Sequence, residues 1–179
     1  AAKTTSAELN YATSGNGTVA HLAVEMFQRE AGIKLTHIPY KGASQGITDV
    51  IGGLVHVYVS SVPTLIGYIK SGKLRALAVT SLKRTDDLPQ VPTVAESGYK
   101  NFEAVTWFGL LGPARLPSTV VQTANQTLNK ALSSPDLKSK LEDQGLDVAP
   151  GTPEQFAQLI RTDMAKWGQV VKASGAKAD

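Results

Sequence analysis

The sequence predicts an α/β protein, with a mostly parallel sheet flanked by helices. Three observations carry that expectation. Strand-like and helix-like patterns alternate along the chain, and the links between them are short and marked by glycine or proline. One segment, L-R-A-L-A-V-T at 74–80, is apolar enough to lie centrally in a sheet.

The elements follow in order. Residues 9–14 (L-N-Y-A-T-S) read as a strand that ends in the turn S-G-N-G-T. A helix is predicted over 18–31, with Leu22, Val24, Met26 and Phe27 as its apolar positions and Gly32 as its stop. Residues 34–40 (K-L-T-H-I-P-Y) form a second strand, closed by Lys41-Gly42. A helix over 43–51 leads through Gly52-Gly53 to the β-branched strand V-H-V-Y-V-S-S at 55–61. Residues 63–70 are a short helix with proline in its first turn, and 74–80 are the next strand. The connection 88–99 contains two prolines and a short helix around 94–97. A strand is expected over 104–111 and another over 146–149, with helices over 117–133, 135–144 and 153–173. Thr152-Pro153-Glu154-Gln155 has the pattern of a capped helix start.

Composition narrows the function. The chain is 42% apolar and 18% charged, as in a folded globular protein. Its net charge is +3 and its longest basic cluster is Lys83-Arg84, so no nucleic-acid track is present. With no cysteine there is no disulfide, thiolate metal site or cysteine nucleophile. No apolar run reaches the ~18 residues of a membrane span. The first ten residues lack a charged and an apolar signal region, so any secretion signal has been removed or was never there.

In parallel sheets ligands sit beyond the carboxyl ends of the strands. That rule selects the loops 14–18, 41–44, 60–64 and 80–81, which are rich in hydroxyl, glycine and amide groups and poor in acids. Such a rim suits a carboxylate or phosphate better than a cation. S-G-N-G-T lacks the spacing and lysine of a P-loop, and its G-x-G is not followed by the third glycine or the ribose-binding acid of a dinucleotide site. Two readings stay open, a tight turn with a helix cap or an anion site. A carboxylate there would gain about 0.3–2 kcal/mol from the helix dipole. Each charge-assisted hydrogen bond would add ~1.5–3 kcal/mol.

His21, His37 and His56 fit no zinc spacing, and a Ser14–His21–Asp49 triad lacks the G-x-S-x-G elbow, so no catalytic set and no metal site are expected. Lys41 is a ligand cation or a solvated loop lysine. Trp107 and Trp167 are expected to pack in a core rather than stack on bases.

The ordered motifs Y-A-T-S-G-N-G-T-V-A-H-L-A, H-I-P-Y-K-G-A, I-K-S-G-K-L-R-A-L-A-V-T-S, D-L-P-Q-V-P-T-V-A-E-S-G and W-F-G-L-L-G-P-A resemble one family through essentially the whole chain. They look like the Bug (TctC-like) solute-binding receptors of bacterial tripartite tricarboxylate transporters. The resemblance implies a type II periplasmic-binding-protein-like fold, a periplasmic location, no cofactor and no enzymatic activity. It implies a small organic carboxylate as ligand, membrane transporter subunits as partners and no nucleic acid. Residues 1–106 would be the second, ligand-binding lobe, and 107–179 a hinge crossover strand and helices belonging to the first lobe. Ser14, Gly15, Gly17 and Thr18 would bind the carboxylate through hydroxyls and N–H groups, with His21 bordering the site and Tyr40, Lys41 and Gly42 forming the second loop. Ser61 joins them from its place at a strand's carboxyl end. The family's opening lobe, with its P-x-x-x-G-G-type loop, has no counterpart here. The chain is therefore expected to be a fragment or short form that holds one side of the cleft and self-associates through the surface left open. The alternative is the effector-sensing domain of a transcription regulator, although no helix-turn-helix pattern is present.

Overall fold

A computed structural model describes residues 8–177. Two compact units divide it. One comprises the chain up to Thr106 together with Gly168 onward, and the other runs from Trp107 to Trp167.

The first unit is built on a three-stranded parallel sheet. β1 (Asn10–Thr13) lies between β2 (Thr36–Pro39) and β3 (Val57–Tyr58). Tyr11, Ala12 and Thr13 are wholly buried, as a central strand covered on both faces requires. Tyr11 pairs with His37 on one side and Val57 on the other, and Thr13 pairs with Pro39. Parallel neighbours need crossovers, and two helices supply them. α1 (Val19–Ala31) joins β1 to β2 and buries His21, Leu22, Ala23, Val24 and Ala31. Each fully buried leucine or valine of this face contributes about 1.5–3 kcal/mol. Gly32, at φ 63°, ends the helix in the left-handed conformation, and the Ile33 N–H turns back to the Gln28 carbonyl at 3.0 Å.

α2 (Ala43–Ile51) joins β2 to β3 and buries Gly46 and Ile47. Gly46 is there because a methyl group would not fit. A Cβ on it would lie 2.6 Å from the Tyr58 ring and 3.1 Å from the Tyr40 ring. Because the chain steps to one side of β1 and then to the other, right-handed crossovers set α1 and α2 on opposite faces of the sheet. α3 (Val62–Lys70) packs Val62, Ile66 and Ile69 onto a small core of Val79, Leu88 and Val91.

The predicted strand at 74–80 does not form. Only Val79 bridges in parallel to Thr93, with its N–H donating to the Pro92 carbonyl at 2.9 Å. Pro92 has no N–H to return, so the ladder cannot extend, and Leu77 stays 64% exposed. Residues 94–97 form turns instead of a helix. The predicted strand at 104–111 is tied only at its start, where the Ala104 N–H reaches the Thr80 carbonyl at 2.9 Å. Beyond it no described strand lies alongside. The third strand shrinks to Val57–Tyr58 because its one partner, β1, is itself four residues long.

The second unit contains α4 (Ser118–Leu132), α5 (Pro135–Glu142) and the greater part of α6 (Pro153–Ser174). The expected strand at 146–149 is irregular chain ahead of Pro150. The start of α6 is the reciprocal cap the sequence predicts. The Thr152 N–H donates to Gln155 Oε1 at 2.8 Å, and the Gln155 N–H to Thr152 Oγ1 at 3.2 Å. Trp107 packs edge-on against Phe156 and donates its indole N–H to Asp163 at 2.7 Å, in keeping with a packing role. None of the three helices has a buried residue.

Candidate functional site

The turn between β1 and α1 is shaped by two glycines in conformations other residues rarely adopt, Gly15 at φ 142° and Gly17 at φ 71°. Thr18 follows in extended conformation as the helix cap. Its Oγ1 accepts from the His21 N–H at 3.3 Å and donates to the Gly15 carbonyl at 2.9 Å. The Gly17 N–H donates to His21 Nδ1 at 3.1 Å. Thr13 Oγ1 meets Gly15 N at 3.3 Å, Gly15 O at 3.1 Å and His37 Nε2 at 2.7 Å.

Several groups that the sequence assigns to a ligand are therefore used within the turn itself. The Gly17 N–H, the Gly15 N–H and the Thr18 hydroxyl all have internal partners. The groups left open are different ones. Ser14 is exposed and bonds to no described residue. In the first turn of α1 the His21 and Leu22 N–H groups both go to Thr18, whereas those of Val19 and Ala20 meet no described acceptor.

The second loop adjoins the first. The Tyr40 N–H donates to the Thr13 carbonyl at 3.0 Å, and a Cβ on Gly15 would stand 3.9 Å from the Tyr40 carbonyl. Tyr40 reaches along α2 to donate its hydroxyl to Asp49 at 2.7 Å. That bond, more than burial, raises its phenol above the ordinary value. Lys41 and Gly42 are exposed, and Lys41 forms no ion pair among the described residues. Ser61 stands beyond the carboxyl end of β3, on the other side of β1. Its hydroxyl bonds Thr64 Oγ1 at 2.9 Å and neither of the other loops. The fourth loop is not set at this edge, because 74–80 joins no sheet; the Thr80 hydroxyl instead donates to the Ala104 carbonyl at 2.7 Å.

Sequence reasoning missed the layer behind the turn. Glu25 accepts from the Tyr11 hydroxyl at 3.0 Å and from Gln28 at 2.9 Å, and lies 3.7 Å from His21 Nε2. Burial first, and then this carboxylate, push the Tyr11 phenol well up. The i, i+2 spacing of Tyr11 and Thr13 and the i, i+4 spacing of His21 and Glu25 were the available signals. Tyr58 was missed as well. Its hydroxyl is buried without a hydrogen-bond partner, and burial raises its pKa.

The Ser14–His21–Asp49 grouping, which the sequence disfavours as a triad, does not assemble, since Asp49 is held by Tyr40 and His21 faces Glu25. Among the described residues no cluster of three or more His, Asp or Glu could hold a metal, and no helix is long and apolar enough to cross a membrane. A cavity of about 280 Å³ in the first unit is lined by Met26, Arg29, Ile33 and Val170 among others, and includes none of the residues named for the ligand.

Comparison with known proteins gives these arrangements a context. The family model for the tripartite tricarboxylate transporter family receptor matches residues 1–176. A UPF0065 protein in the tcbD-tcbE intergenic region of Pseudomonas sp. strain P51 is 37% identical over 172 residues, covering 96% of this chain and 51% of that one. A UPF0065 protein in the clcB-clcD intergenic region of Pseudomonas knackmussii is 37% identical over 159 residues, covering 88% of this chain and 94% of that one. The chain thus spans about half the length of the first relative and nearly all of the second. Among solved structures, R. palustris Rpa4515 with adipate superimposes with a TM-score of 0.85 at 31% identity, over 98% of this chain and 58% of that one. MatC from Rhodopseudomonas palustris with bound malate gives 0.71 at 27% identity, over 91% and 56%.

Proposed function

The chain belongs to the tripartite tricarboxylate transporter receptor family, a family of solute-binding receptors and not of enzymes, and from that premise we propose that it recognises a small organic carboxylate in the periplasm for a membrane transporter. The observation that carries the reading is the set of donors at the start of α1. Ser14 and the N–H groups of Val19 and Ala20 have no partner among the described residues, beside a turn in which the Gly15 and Gly17 N–H groups and the Thr18 hydroxyl are already bonded. A carboxylate oxygen at this point would satisfy backbone N–H groups and meet the positive end of the helix dipole. Lys41, at the adjoining strand end, adds a positive charge that forms no ion pair among the described residues.

Ser14, Gly15, Gly17, Thr18 and His21 form one side of this site, and Tyr40, Lys41 and Gly42 the next. In this arrangement Gly15, Gly17 and His21 shape the turn, while Ser14, the first helical turn and Lys41 face the ligand. Ser61 contributes from beyond the carboxyl end of β3. On the same reading residues 1–106 are the ligand-recognising lobe, and 107–179 supply the crossover segment and helices of the other lobe. The chemistry of adipate and malate, bound by two structural neighbours, makes dicarboxylates the first ligands to try. None of the relatives and structures named above is described as a transcription regulator.

The test is calorimetric titration of the chain with adipate and malate. Saturable binding is expected, weakened about tenfold or more in Ser14→Ala, since a hydrogen bond to a charged group contributes ~1.5–3 kcal/mol. Binding that Ser14→Ala and Lys41→Ala both leave intact would move the site elsewhere. Absence of binding at millimolar ligand would refute a working carboxylate site in this chain.

A further inference from the structure

Three rings stand behind the turn in one stack. Tyr11 and His37 are register partners on adjacent parallel strands, with ring centroids 4.8 Å apart and planes 19° from parallel. His21, from α1, stacks on His37 at 4.0 Å and 16°. Each imidazole grips one of the positive-φ glycines. His21 Nδ1 holds the Gly17 N–H directly, and His37 Nε2 holds Gly15 through the Thr13 hydroxyl. Glu25 of α1, Tyr11 and Thr13 of β1, and the turn itself are among the groups that face the pair.

The hydrogen bonds constrain the protons. Gly17 offers an N–H, so Nδ1 of His21 must be bare, which places the proton of the neutral ring on Nε2, toward Glu25. A second proton on that ring would convert Nδ1 into a donor and break the bond to Gly17. Two charged imidazoles at 4.0 Å repel strongly, so the stack accepts one proton before two. Glu25 directs the first to His21.

The geometry points to His21 and His37 as positioning residues that act as a proton-controlled latch on the turn. The neutral pair holds Gly17 and Gly15 in place. One proton releases the Gly17 N–H and sets a positive charge behind the turn. Both changes favour an anion, so this inference, which rests on the carboxylate reading, gives a receptor that binds more tightly as pH falls and His21 gains its second proton.

The experiment has one arm without ligand and one with it. In the first, the ¹⁵N-labelled full chain is titrated between pH 8 and 5.5 while the Gly17 amide and the His21 ring are followed by NMR. The Gly17 amide is expected to move with the His21 titration. In His21→Asn, whose carboxamide oxygen can accept from Gly17 without titrating, it should stay fixed. His37→Gln keeps a donor for Thr13 and removes the neighbouring imidazole, and it should shift the midpoint at which Gly17 moves. In the second arm adipate is titrated at pH 6 and pH 8. Affinity should be about tenfold higher at the lower pH in the native chain, roughly the effect of one added charge a few ångströms away, and flat in His21→Asn. A Gly17 amide that does not respond while His21 titrates overturns the latch, whatever adipate does. A responding amide with no adipate binding at either pH supports the latch and overturns the carboxylate reading.

Discussion

Tyr58 carries a hydroxyl that burial has separated from water and that no protein group receives. Such a group costs about 1–3 kcal/mol relative to a paired one, and its removal leaves nothing unpaired behind. Tyr58→Phe is therefore expected to raise stability by up to ~1 kcal/mol, read from the urea midpoint at unchanged slope. A loss of similar size would mean that a bound water already satisfies the hydroxyl. The ring itself is a different matter, because together with Tyr40 it fills the place of the missing Gly46 side chain. Removing it altogether opens a cavity against α2 and should cost ~3 kcal/mol or more. Function and packing thus separate on one side chain, the ring holding α2 to the sheet and the hydroxyl remaining a donor without an acceptor.

A long helix and a short run of turns begin with the same device. Thr152 and Gln155 cap α6, and in the turns at 93–98 the Thr93 N–H donates to Glu96 at 2.7 Å while the Glu96 N–H donates to Thr93 Oγ1 at 3.0 Å. The Thr93 N–H first, and then Arg84, hold the Glu96 carboxyl below the ordinary carboxylate value. A carboxyl with a lowered folded-state pKa gives its full stabilisation above the unfolded-state value and loses it as pH falls through the lower, folded one. Glu96→Gln keeps an acceptor for the cap but cannot titrate. Its stability deficit against the native chain should be present at pH 7 and close on acidification below the ordinary carboxylate range; a deficit that is constant with pH would refute the assignment. The cap in T-P-E-Q was legible because it is local, as were the helices that form, whose bounds fall within a few residues of the predicted ones, whereas the helix expected around 94–97 is a run of turns started by a cap the sequence reading did not single out. Strands were less legible. The ladder at 74–80 depends on Pro92, distant in sequence and without an N–H, so its apolar character alone could not decide the outcome. At the turn, glycine spacing and Thr18 were readable. That His21 folds back on Gly17 depends on a helix rotation which places His37 beneath it, and only the assembled sheet fixes that.

At the scale of the whole molecule the two units differ in how well they cover their apolar groups. The first holds every described buried hydrophobic residue, from Tyr11 to Ala104. In the second, Phe108 is 83% exposed, Leu111 69% and Leu110 68%, within a stretch that has strand-like sequence but no ladder partner among the described residues. Such a surface favours association. Burying three large side chains from each of two copies would gain about 9–18 kcal/mol at ~1.5–3 kcal/mol each. The loss of rotational and translational freedom costs roughly 4–15 kcal/mol, and ordering of the loop adds to it. The two ranges nearly cancel, so association should be weak and concentration-dependent, a reversible equilibrium at micromolar concentrations or above rather than a permanent dimer. Light scattering across a dilution series should show the mean mass rising with concentration. Phe108→Ser combined with Leu111→Ser should flatten that rise with little change in urea midpoint, because neither side chain is buried in the single chain. A native chain whose mass stays at 18.9 kDa over the whole series would show that this surface is not sticky enough to overcome the entropy of pairing.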